Sequence, residues 1–128
     1  MAYYYTGKHT SDLQHINIVV KSIIRKVNNI IPDENLLFDI RLIINELVIN
    51  GCEHGNSFDN DKSIDLILTI KDNIVTIQVI DEGEGLKYDL SNYNPSSMKT
   101  CGRGLKIVQE LSDELIINKN SVTAIINK

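Results

Sequence analysis

Apolar side chains recur at spacings of three and four along residues 13–31, at Leu13, Ile16, Val20, Ile23, Ile24, Val27 and Ile31. That period puts them on one face of a helix. Thr10 or Ser11 offers an N-cap, Ser11 and Gln14 have the capping-box spacing, and Asn28, Asn29 and Pro32 weaken and then stop the helix. A second helix is predicted from Asp33 to about Cys52, where Leu36, Leu37, Ile40, Ile43, Ile44, Leu47 and Val48 make an apolar face broad enough to be largely buried. Gly51 and Gly55 loosen its end, and residues 55–61 form a polar loop.

The period then changes from three or four to two. Residues 63–70 carry Ile64, Leu66, Leu68 and Ile70 on one side, which predicts a strand. Residues 74–80 alternate on even positions, and Val75, Ile77 and Val79 add apolar residues to the other face, so this strand is expected to be central and covered on both faces. Lys71-Asp72-Asn73 between them reads as a tight hairpin turn. Residues 86–100 have the polar composition of a mobile loop. A short helix over 103–112 has Leu105, Val108 and Leu111 on one face. Strands over 114–118 and 121–126 are joined by Lys119-Asn120, and three tyrosines mark a first strand over 2–8. The order β-α-α-β-β-loop-α-β-β predicts an α+β fold, a two-layer α/β sandwich with helices on one face of a mostly antiparallel sheet.

Composition narrows the class. The 128 residues fit a single domain over 1–128, and 42% hydrophobic against 23% charged residues is a globular rather than a disordered balance. A net charge of −4 argues against nucleic-acid binding through bulk charge. No apolar run approaches the roughly 20 residues of a membrane span, and the N-terminus shows no signal-peptide core. Cys52 and Cys101 lie far apart, which excludes a disulfide framework or a cysteine-rich zinc site as the main stabiliser. The expectation is a reduced, cytoplasmic domain.

Three short constellations carry chemistry. In Glu46-Leu47-Val48-Ile49-Asn50-Gly51-Cys52-Glu53-His54-Gly55, Glu46 and Asn50 stand four apart and share a helix face. An amide oxygen is a neutral hard ligand suited to Mg²⁺, and a carboxylate can take a proton from water or a hydroxyl. The same pair also fits an ordinary helix with exposed polar side chains, and His54 also fits a helix-end cap. Asp81-Glu82-Gly83-Glu84-Gly85 follows the central strand. Glycines there let backbone approach a planar ring, and the Asp81 carboxylate can accept from an exocyclic amine; a plain turn uses the same residues. Gly102-Arg103-Gly104-Leu105 opens the short helix, where free N–H groups and the helix dipole favour phosphate, or where glycines merely form a hinge.

In this order, the three constellations resemble the nucleotide-binding boxes of the GHKL (Bergerat-fold) ATPases over about residues 41–108. The His54-Gly55 pair and the short chain look most like the anti-sigma factor serine/threonine kinases of that superfamily. The resemblance implies ATP and Mg²⁺ as ligands. It implies Asn50 as the Mg²⁺ ligand bridging the phosphates, Glu46 as general base, and Asp81 as acceptor for the adenine amine, helped by a water near Gly85. Gly83 belongs to the same adenine-binding box. It further implies backbone contacts to phosphate from Gly102, Gly104 and Leu105, with residues 86–101 as the ATP lid. Lys99 and Arg103 carry charge able to neutralise phosphate, but neither matches a family position. The implied partners are a sigma factor and an anti-sigma factor antagonist protein, with no direct nucleic acid and no membrane. Tyr3-Tyr4-Tyr5 either pack at a homodimer interface, as similar kinases use, or cover the sheet edge. Gly51 departs from the family's usual Ala, and the lid lacks the Phe of sensor histidine kinases. Two other readings stand beside the kinase: a nucleotide-gated binding module without transfer, and a detached catalytic domain acting on a partner's histidine.

Overall fold

The computed structural model describes residues 2–52, 61–83 and 100–127, the last segment as backbone alone over 100–104. His54, Gly85, Lys99, most of the predicted loop at 55–61 and the lid up to residue 99 lie outside the described residues. The elements are β1 (Tyr3–Thr10), α1 (Leu13–Asn28), α2 (Glu34–Asn50), β2 (Ser63–Lys71), β3 (Ile74–Ile80), α3 (Thr100–Leu111), β4 (Glu114–Asn118) and β5 (Ser121–Asn127). The strands form one antiparallel sheet in the order β1-β2-β3-β5-β4. The fold is α+β, as the alternation of periods predicts.

Register explains which face is buried. Leu66 pairs with Val79, Leu68 with Ile77 and Ile70 with Val75, so even positions of β2 share a face with odd positions of β3. Val75, Ile77 and Val79 are buried, whereas Ile74 is exposed and Thr76, Gln78 and Ile80 are half-buried. The expected even phase and the double covering of β3 are therefore corrected: β3 is central in the sheet, but only its odd face is sealed. The odd positions Val75, Ile77 and Val79 are all apolar, whereas the even ones include Thr76 and Gln78, so the strand's own alternation agrees with the odd phase. The sealed sheet face and the buried stripes of α1, α2 and α3 form one continuous cluster, including Ile16, Ile40, Ile43, Ile44, Leu47, Leu66, Leu68, Ile77 and Leu105. α2 packs against both α1 and α3 and against β3, and so lies at the centre of the helical layer.

Three boundaries differ from expectation. α1 is capped by Asp12, whose Oδ1 accepts from the Gln14 N–H at 3.0 Å, and not by Thr10 or Ser11. Thr10 is still paired with Ser63, and the Ser11 N–H donates to the Lys62 carbonyl at 3.1 Å, so both remain committed to the sheet. α1 ends at Asn28 because the Ile30 and Ile31 N–H groups both fold back onto the Val27 carbonyl. α3 begins at Thr100, three residues before Arg103, because burial of Leu105 and Val108 outweighs the weak helix preference of the two glycines. The β2–β3 turn behaves as predicted: Asp72 and Asn73 take φ of 53° and 67°, the left-handed values of a two-residue turn that matches strand twist. Gly51 closes α2 with ordinary helical dihedrals, and a π-type turn carries the chain through Cys52. Its glycine serves space, not backbone freedom. A Cβ there would lie 3.2 Å from Val79 Cγ1 and 3.3 Å from Ile64 Cγ2.

Asp33 caps α2 through its Oδ1, which accepts from the Asn35 and Leu36 N–H groups at 2.9 and 3.3 Å. Asp33→Ala should cost about 1 kcal/mol of stability, the usual worth of an N-cap. Urea unfolding at neutral pH measures it.

Candidate functional site

Two of the segments singled out in sequence meet where α2 and β3 end. Asn50 is the last residue of α2 and Asp81 the first after β3. Between them sits Gly51, whose Cβ position is 3.7 Å from Asp81 Cβ. Glu46 lies one turn before Asn50 and is half-buried. Gly102 falls in the first turn of α3, with Gly104 and Leu105 just beyond it. The Leu105 side chain is fully buried and anchors α3 in the core.

Two buried polar groups define this corner. Asn50 is 4% exposed, and its Nδ2 is buried with no hydrogen-bond partner among the described residues. Leaving such a group unpaired costs about 1–3 kcal/mol, so an unmet amide in a core is a place to look for a ligand. A half-turn of the amide presents either a donor to phosphate or an oxygen to a hard cation. Asp81 is 8% exposed. Its Oδ1 accepts from the Gly83 N–H at 2.7 Å, closing an Asx turn over the first glycine of the motif. Burial pushes its carboxyl above the ordinary value, against the opposing influence of the Gly83 bond and of Lys62.

The main chain at Asp81 is held from a distant element. Its N–H donates to the Asn120 carbonyl at 3.0 Å, and the Asn120 Nδ2 donates back to the Asp81 carbonyl. In sequence Asn120 reads only as a turn residue between the last two strands; no local signal links it to Asp81. The neighbouring Glu82 turns away. Its Oε2 accepts from the Ser63 N–H, and from Ser63 Oγ at 3.0 Å, and these bonds hold its carboxyl below the ordinary range. Glu82 thus ties the motif to the start of β2. Cys52 is wholly buried, and burial is the main cause that pushes its thiol up to about 11. It stays protonated at neutral pH and supplies neither a nucleophile nor a thiolate ligand.

These groups fit Mg-ATP. A buried carboxylate suits an exocyclic amine, and an amide suits phosphate or a hard cation that completes its shell with phosphate oxygens and water. No cluster of three or more His, Cys, Asp or Glu side chains able to cage a metal occurs among the described residues. Away from this corner, an open groove of about 780 Å³ runs between α1 and α2. Val20, Ile24 and Leu37 line it together with three cations, Lys21, Arg25 and Arg41, against one acid, Glu34. No helix among the described residues is long and apolar enough to cross a membrane.

Comparison with known proteins adds the following. The model of the histidine kinase-like ATPase domain family matches residues 10–126. Anti-sigma F factors of Geobacillus stearothermophilus and Geobacillus kaustophilus (strain HTA426) are each 27% identical over 92 residues, covering 67% of this chain and 62% of theirs. The chain thus spans less than two thirds of the length of these relatives.

Burial of Asp81 has a consequence for stability. A carboxyl raised in the folded state contributes stability that is fully present below its ordinary value of 3.8 and is lost as pH rises through the folded value. At neutral pH the buried charge is therefore a cost. Asp81→Asn, which keeps an acceptor for the Gly83 N–H, should be more stable than wild type at pH 7. That advantage should vanish as pH falls below the carboxylate range. Urea melts at both pH values test it.

Proposed function

Because the chain belongs to the histidine kinase-like ATPase family, we propose that it is an anti-sigma regulatory kinase that binds Mg-ATP and phosphorylates a serine or threonine of an antagonist protein. The observation that carries this reading is the unmet amide of Asn50, buried one helical turn from Glu46 and one residue before Gly51, whose Cβ position lies 3.7 Å from Asp81 Cβ. Asp81 accepts from the adenine amine. Gly83 and Gly85 let backbone lie against the ring. Asn50 would hold Mg²⁺, and Gly102, Gly104 and Leu105 would offer main-chain contacts to the phosphates. Mg²⁺, when bound, supplies neutralisation of phosphate charge.

The transfer step is a substitution at the γ-phosphorus. Glu46 takes the proton of the acceptor hydroxyl, the hydroxyl oxygen bonds to phosphorus, and the bond to the bridging oxygen of ADP breaks. The rest of the chain's contribution is positioning. The relatives' name, anti-sigma F factor, supports a sigma factor as the protein held in check. The groove between α1 and α2, lined by polar and apolar side chains with three cations against one acid, supports an acidic protein partner on a chain whose own net charge is −4. Tyr3 and Tyr5 pack against the core while Tyr4 is exposed on the edge strand β1, the surface a homodimer would use.

Phosphotransfer from labelled ATP to candidate antagonist proteins tests the reading, with acid-stable phosphate on the acceptor as the expected product. Glu46→Ala should keep ATP affinity and lose about 100-fold or more in transfer, the usual worth of a general base. Asp81→Asn should weaken ATP binding by about 1–3 kcal/mol. Acid-labile phosphate would point instead to a histidine acceptor, and ATP binding without transfer to a nucleotide-gated binding module.

A further inference from the structure

We propose that Asn120, in the turn between β4 and β5, is a positioning residue for the adenine end of the nucleotide site. The proposal rests on the reading of Asp81 as the adenine acceptor. Asp81 follows the last residue of β3, where the ladder to β5 ends at the pair Ile80–Ser121. A residue just past a ladder ordinarily has loose main chain. Here Asn120 continues the ladder by one further step and closes it on both sides. Its carbonyl accepts from the Asp81 N–H, and its side-chain Nδ2 donates to the Asp81 carbonyl.

The second of these bonds belongs to the side chain. A turn needs only main chain, and Asn120 is not among the residues with positive φ; in this turn Lys119 takes that conformation, at 55°. The asparagine is therefore not explained by backbone geometry. Its amide explains it: a donor of this length reaches the carbonyl of a strand end across the sheet. The opposite side of Asp81 is bounded by the α2 terminus, with the Cβ position of Gly51 3.7 Å from Asp81 Cβ. The carboxyl is then aimed by three constraints: the Asn120 clamp on its main chain, the Gly83 N–H on its Oδ1, and the wall at Gly51. The first and the third come from segments remote in sequence, and through the first the hairpin β4–β5 is coupled to the base-binding end of the site.

The test is a double-mutant cycle between Asn120 and Asp81, read by titration of adenosine and of Mg-ATP into the full chain. Asn120→Ala should weaken both ligands by the same factor, about fivefold to tenfold, the worth of one hydrogen bond at a site that acts through another. Asn120→Asp, which keeps the turn but places a carboxylate against the carbonyl, should weaken them at least as much. In the Asp81→Asn background, where the adenine contact is already lost, Asn120→Ala should cause no further loss. A merely structural role predicts instead a lowered melting temperature with affinities unchanged, or losses that add independently of Asp81; either overturns the proposal. Should Asn120→Ala fail to fold, Asn120→Asp carries the same cycle. Failure of wild type to bind either ligand, or unchanged affinity in Asp81→Asn, overturns the adenine reading itself and the proposal with it.

Discussion

The structure depends on how closely the end of α2 approaches strands β2 and β3. At Gly51 a single added carbon would stand 3.2 and 3.3 Å from Val79 and Ile64, both buried. Interiors are packed too tightly to absorb such a methyl without movement. That contact brings the residue that closes a buried helix next to the first residue after a central strand. Gly51 and Asp81, 30 positions apart in the chain, meet at one corner, with Asn50 one residue before Gly51. The core cluster supplies the holding force, and the corner inherits its precision.

The same packing sets a conflict between stability and chemistry. Both groups at the corner are polar and almost wholly buried. One has an unmet amide nitrogen, and the other has a carboxyl whose charged form burial disfavours. A fold selected for stability alone would place apolar side chains at both positions. Among buried side chains that are mostly Ile, Leu and Val, these two groups mark the corner as the candidate site. Ligand binding would repay part of this cost by giving each group its partner, which couples nucleotide binding to stability.

Much of the fold was legible in the pattern of apolar residues. The periods of three and four in α1 and α2 and the alternation in β2 are strong because each element buries only one face. In β3 the apolar ends Ile74 and Ile80 mimic an even phase, but Thr76 and Gln78 between them leave the odd face as the one that is sealed. Thr10 and Ser11 read as caps in sequence, but pairing of Thr10 with Ser63 and the bond from Ser11 to Lys62 leave the cap to Asp12. The candidate site was legible as residue types in order: Glu46 and Asn50 one turn apart, then Asp81, then the glycines before Leu105. What sequence could not show was environment. That Asn50 is buried without a partner, that Cys52 sits sealed with its thiol pushed up, and that Asn120 reaches back to Asp81 all depend on contacts between segments far apart in the chain.

The corner is proposed as a nucleotide site whose phosphate end is the Asn50 amide. Calorimetric titration of ATP into wild type and Asn50→Ala, with and without Mg²⁺, tests it most directly. The account predicts binding that strengthens with Mg²⁺ in wild type, with micromolar affinity corresponding to about −8 kcal/mol, and loss of the Mg²⁺-dependent part in Asn50→Ala. Equal affinity and equal Mg²⁺ dependence in the two proteins, or no binding by wild type under either condition, would contradict it.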